Sequence, residues 1–82
     1  MKQMTEDNLE AAFAGESQAH LKYTNFAERA EKDGRPNVAR LFHAAAFSER
    51  THASSHLRAL GGIEDTLANL AVAIEGETFE VE

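Results

Sequence analysis

Apolar residues recur along this chain at intervals of three and four, the spacing that puts side chains on one face of an α-helix. One stripe is Leu9, Phe13, Glu16, His20, Tyr23, Ala27 and Ala30; a second is Val38, Phe42, Ala45, Glu49, His52, His56 and Leu60; a third is Leu67, Leu70, Ile74, Glu77 and Val81. The pattern predicts three helices, over about residues 5–32, 36–60 and 66–82. Thr5 is placed to cap the first, with Glu6 and Asp7 at the positive end of its dipole. Asp33-Gly34 ends it, Gly34 being free to take the left-handed conformation common just past a helix C-terminus. Pro36 suits the first turn of the second helix, where its missing N–H costs nothing. Gly61-Gly62 stops that helix, and Asp65 or Thr66 caps the third. There is no strand alternation, internal repeat or low-complexity tract, so the expected class is all-α.

Two of these stripes carry groups foreign to a dry face. Glu16 lies among Phe13, His20 and Tyr23, and Glu49 and His52 among Phe42, Ala45 and Leu60. An ionised carboxylate buried without a partner is strongly unfavourable, so several carboxylates and an imidazole aimed at one core point to a cation there. The short turn at Gly34 makes the first two helices antiparallel neighbours. Counted from Gly34, Glu16 lies ~27 Å along one helix and Glu49 ~22 Å along the other, less than a turn apart in height. His52 follows one turn beyond Glu49. On the third helix Glu77 and Glu80 repeat the three-residue spacing and could share a metal pair, or form a solvated face with Glu75 and Glu82.

Glu-x-x-His alone is weak evidence: eleven glutamates and four histidines in 82 residues give about half an occurrence by chance. Placement on the stripes and matching depth give it weight. The other histidines have plainer readings. His56 fits a hydrogen-bonded core histidine better than a ligand, His20 fits a supporting or rim position, and His43 falls on the far, solvated side of its helix. Tyr23 is an amphipathic core residue whose hydroxyl needs an acceptor, a ligand carboxylate being one choice. Gly76 costs ~1 kcal/mol relative to alanine in a helix interior and invites either close helix approach or local distortion.

Composition narrows the chemistry. With no cysteine, any metal is held by oxygen and nitrogen. The formal charge of −6 argues against a nucleic-acid partner. If Glu16, Glu49, Glu77 and Glu80 are internal, ten acids face eight bases outside, and bound divalent cations offset the rest. No stretch has the length of a membrane span and the N-terminus lacks a secretory apolar core, so the expected location is cytoplasmic. A carboxylate-rich site with few imidazoles suits iron or manganese better than zinc or copper. Carboxylate-bridged di-metal bundles take one Glu from each of two helices and Glu-x-x-His from each of two others; this chain offers one helix of each kind.

The residues also resemble a known family. Glu16-Ser17-Gln18-Ala19 with Tyr23 and Phe26 looks like the first-helix signature of the rubrerythrins. Lys32-Asp33-Gly34 and Glu49-Arg50-Thr51-His52-Ala53 look like the turn and second helix, and Ala68-Asn69-Leu70 with Gly76-Glu77-Thr78-Phe79-Glu80 like the third. The resemblance covers essentially the whole chain, in order. It implies a ferritin-like four-helix bundle with two carboxylate-bridged iron ions, manganese or zinc being substitutes, that reduces hydrogen peroxide to water in oxidative-stress protection. Under it Glu16, Glu49, His52, Glu77 and Glu80 are iron ligands. Glu49 and Glu77 bridge the irons, and one iron is held by Glu80 when oxidised and by His52 when reduced. Tyr23 donates a hydrogen bond to the ligand shell. The catalytic roles then fall to Glu49, Glu77 and Tyr23.

Two parts of the family pattern are missing from these residues: the fourth helix with its second Glu-x-x-His, and the four-cysteine rubredoxin-like module. The expectation is therefore a partial bundle, an antiparallel hairpin plus part of a third helix. An external redox protein such as rubredoxin supplies the electrons. Another chain or a missing segment completes the site. A ferritin-type crossover must travel the length of the second helix, ~37 Å, whereas Gly61 to Asp65 spans at most about 17 Å. The third helix is thus expected to join the hairpin of a second copy, in a domain-swapped dimer, or a complementary chain supplies the fourth helix. The competing functions are iron handling as a ferroxidase and a metal-free helical interaction module.

Overall fold

The computed structural model describes residues 3–81, with side chains described for residues 5–77. Three helices follow one another, α1 (Gln3–Lys32), α2 (Pro36–Ala59) and α3 (Thr66–Val81). Thr5 lies inside α1, two residues past its start, so the predicted cap is not used: the helix propagates through Gln3 and Met4, which nothing in the sequence breaks.

Both predicted stops act through glycine. Gly34 has φ +74° and Gly61 φ +72°, a region that Cβ-bearing residues rarely enter. After α1, the Arg35 N–H donates to the Ala30 carbonyl (2.8 Å) and the Gly34 N–H to the Glu31 carbonyl (3.0 Å). After α2, the Gly62 N–H donates to the Leu57 carbonyl and the Gly61 N–H to the Arg58 carbonyl, each at 3.0 Å. Each pair satisfies two helix-terminal carbonyls that would otherwise lack donors. Pro36 opens α2 immediately after the first turn. Asp65 caps α3, its Oδ1 accepting from the Ala68 N–H at 2.9 Å. Asn69 braces the same start: its Oδ1 accepts from the Glu64 N–H and its Nδ2 donates to the Glu64 carbonyl, both at 2.9 Å. The connection between α2 and α3 is therefore short and ordered by its own hydrogen bonds.

α1 and α2 pack against each other along a line of small residues: Ala27 and Ala30 on one side, Ala39, Ala46 and Ala53 on the other. Alanines at a seven-residue spacing in α2 let the two backbones approach closely. The α1 stripe read from the sequence is the face that packs, every member being half-buried or buried. In the α2 stripe Phe42, Ala45, Glu49, His56 and Leu60 are half-buried, but its centre lies one position further on. Val38 and His52 are exposed, and the buried residues are their neighbours Ala39 and Ala53, with Ala46 beside Ala45. In a bundle each helix has two contact lines. The hairpin covers the alanine line most fully, leaving Val38 and His52 exposed on the adjoining flank. At the turn end Tyr23, Phe26 and Phe42 form a ring cluster, Phe26 meeting Phe42 edge-on at 5.4 Å and Tyr23 stacking on Phe42 at 6.1 Å.

α3 packs on neither α1 nor α2 among the described residues. Leu67, Leu70, Val72 and Ile74 all face solvent. Gly76 sits in open space, with nothing within 4 Å of where a Cβ would stand, so no close approach by another part of the described chain explains it.

Candidate metal centre

Glu16 lies midway along α1, and Glu49 and His52 are one turn apart on α2. The alanine packing holds the two helices close, and the antiparallel register brings the three side chains to one height. A carboxylate oxygen of Glu16, one of Glu49 and a ring nitrogen of His52 all lie within 4.8 Å of one another. His52 Nδ1 is 3.8 Å from Glu16 Oε2. Two carboxylates at this separation repel, and a divalent ion between them reverses the sign of that interaction. Two oxygens and one imidazole with no sulfur make a donor set suited to iron or manganese, so the residues present fit such ions.

The cluster is not dry. The Glu16 side chain keeps 19% of its exposure and His52 keeps 57%, and among the described residues no polar side chain is fully buried. The sequence places these groups in an interior. The hairpin instead gives them a half-covered edge, because the layer that would close over them is not packed there.

His56, one turn beyond His52, resolves as a partner of the cluster: its Nδ1–H donates to Glu16 Oε1 at 2.5 Å. His20 ties the helices together, its Nδ1–H donating to the Ala46 carbonyl of α2 at 2.9 Å. His43 is on the solvated side, paired with exposed Glu31 at 2.9 Å. Tyr23 packs against Phe26 and Phe42, and no hydrogen bond from its hydroxyl to a carboxylate occurs among the described residues. Glu77 is exposed on α3 and does not join Glu16, Glu49 and His52. The Glu80 side chain lies outside the described residues. The hairpin thus assembles three of the five predicted ligands. The specific contact of His56 could not be read from its stripe position, though its four-residue spacing from His52 placed it on the correct face.

Comparison with known proteins gives a consistent result. The rubrerythrin family model matches residues 7–82. Rubrerythrin-2 of Clostridium acetobutylicum is 38% identical over 92 residues, which cover 95% of this chain and 50% of that protein. Rubrerythrin of Nitratidesulfovibrio vulgaris is 38% identical over 89 residues, covering 93% and 47%. Nigerythrin of the same organism is 52% identical over 48 residues, covering 58% and 24%. The chain spans about half the length of these rubrerythrins. Among the described residues no helix is long and apolar enough to cross a membrane.

Proposed function

The chain belongs to the rubrerythrin family, and from that premise we propose that it forms part of a non-haem di-iron peroxidase, which reduces hydrogen peroxide to water with electrons from an external redox protein. The observation that carries this reading is the meeting of Glu16, Glu49 and His52 within 4.8 Å on one edge of the hairpin. Two ferrous ions, when bound, supply one electron each, so that peroxide, two electrons and two protons become two waters. The chain's part is to hold and surround that pair. Glu16 and Glu49 provide anionic oxygens from opposite helices, and His52 provides a neutral nitrogen one turn away. Glu77 and Glu80 are the further ligands, and Tyr23, at the ring cluster, is the hydroxyl donor once the open edge is covered.

Coverage comes from a second copy, whose α3 lies on the open flank and brings Glu77 and Glu80 to the cluster. Three observations support this: among the described residues α3 packs on neither α1 nor α2, its Leu67, Leu70, Val72 and Ile74 are exposed, and the link from Gly61 to Asp65 is short and ordered. Mixing Glu16→Gln and Glu77→Gln chains is the test. In an exchanged dimer the mixture regains an intact ligand set that neither variant holds alone. A mixture no better than its components removes the exchange.

The activity is tested by stopped-flow mixing of the reduced, iron-loaded protein with peroxide. Oxidation much faster than with air supports the peroxidase. Equal rates overturn it. Preferential turnover with dioxygen and accumulation of many ferric ions per chain would replace it with iron handling.

A further inference from the structure

We propose that His56 is a positioning residue that fixes the orientation of the Glu16 carboxylate before any metal arrives. The inference rests on the metal reading above and concerns a residue that reading does not use. A glutamate on a helix surface has several rotatable bonds, and its two oxygens are equivalent until something distinguishes them. Here His56 distinguishes them. Its Nδ1–H donates to Glu16 Oε1 at 2.5 Å, while Oε2 is left on the side of His52, 3.8 Å from that ring's Nδ1. One oxygen is engaged by a neighbour and the other is directed into the cluster.

The placement supports this division of labour. His52 and His56 are four residues apart on α2 and so stand one above the other on the same face. Their surroundings differ: the His56 side chain keeps 32% of its exposure against 57% for His52. The more covered imidazole grips the carboxylate and the more open one is left to meet an ion. With its proton on Nδ1 committed to Glu16, His56 presents no free Nδ1 lone pair to the cluster, which sets it apart from a fourth ligand. The bond also crosses from α2 to α1, joining residues 40 positions apart. It therefore couples the position of Glu16 to the helix that carries Glu49 and His52. Hydrogen bonds to ligand groups of this kind change metal affinity without touching the ion.

The experiment is a titration of the full chain with Co2+, followed by its visible absorption, for the wild type, His56→Leu and His56→Gln. Leucine removes the donor while keeping an apolar side chain on the half-buried stripe; glutamine keeps an N–H that can reach the carboxylate. The expected result is affinity weakened about 10- to 100-fold in His56→Leu and largely recovered in His56→Gln, with the metal-free melting temperature of His56→Leu unchanged or raised. Equal affinity in wild type and His56→Leu overturns the proposal. So does equal weakening in both variants, or a loss of affinity that merely follows a lower melting temperature. A second readout needs no metal. The His56 imidazole N–H should appear in proton–nitrogen NMR spectra of the metal-free chain and be lost in Glu16→Ala. If it appears and Co2+ does not bind, the metal reading fails and the positioning of a metal ligand fails with it; if Co2+ binds and the N–H is absent, only the His56 inference fails.

Discussion

The α1–α2 hairpin and α3 are written in the same periodic pattern and reach opposite outcomes. The hairpin withdraws five alanines from solvent and draws two carboxylates and an imidazole to one height. α3 has leucine, valine and isoleucine on its surface and buries none of them among the described residues. Side-chain apolarity therefore does not determine which element packs. What distinguishes the hairpin is a tight glycine turn that returns the chain along itself, combined with small residues where the two backbones meet. α3 begins after an equally well-capped stop, but its link directs it away. A helix can be locally complete and still lack a surface to rest on.

The sharpest way to test this contrast is at the cluster itself. Glu49→Gln removes a donor at the shared height, and its cost in Co2+ affinity should exceed the ~100-fold upper range for supporting residues, about 2.7 kcal/mol, in a calorimetric titration. An affinity unchanged within error would mean that the hairpin does not hold the ion. Next in size is overpacking. Ala27, fully withdrawn from solvent, cannot accept the three extra carbons of leucine without pushing the helices apart, so Ala27→Leu should lose about 1–3 kcal/mol in urea unfolding. The matching change Ala71→Leu on α3 should fall within about 0.5 kcal/mol in the dilute chain. Comparable losses at the two sites would erase the distinction between the regions.

Turn geometry gives a smaller effect. Gly34→Ala forces a Cβ into the left-handed region and should cost about 1–2 kcal/mol of hairpin stability, read from the denaturation midpoint. The smallest change is expected at the surface. Glu31→Gln breaks the exposed pair with His43 and should shift stability by less than about 0.5 kcal/mol. A larger loss would mean that the outer flank contributes more to the hairpin than its exposure implies.

Much of this architecture could be read from the sequence, for reasons visible in particular residues. Gly34, Pro36, Gly61 and Asp65 act through local backbone chemistry, so their roles needed no tertiary information. The common height of Glu16 and Glu49 followed from helix rise and one tight turn. The finer angular placement did not. Val38, Ala45 and His52 fit the apolar period as well as Ala39, Ala46 and Ala53 do, and periodicity cannot say which of two adjacent lines meets the nearest helix. Alanine is the ambiguous residue here, apolar enough for any stripe and small enough to be selected only by close approach. The aim of His56 at Glu16 was equally hidden, because it depends on side-chain torsions across the hairpin rather than on spacing along one helix.

The brief, self-bonded link from Gly61 to Asp65 bears on how the protein responds to its own concentration. If, as proposed above, α3 of a second copy completes the centre, assembly obeys mass action, and diluting the protein should lower any peroxide turnover faster than it lowers the protein itself. Under that proposal abundance is itself a form of control: scarce chains carry open half-sites, and accumulation closes them.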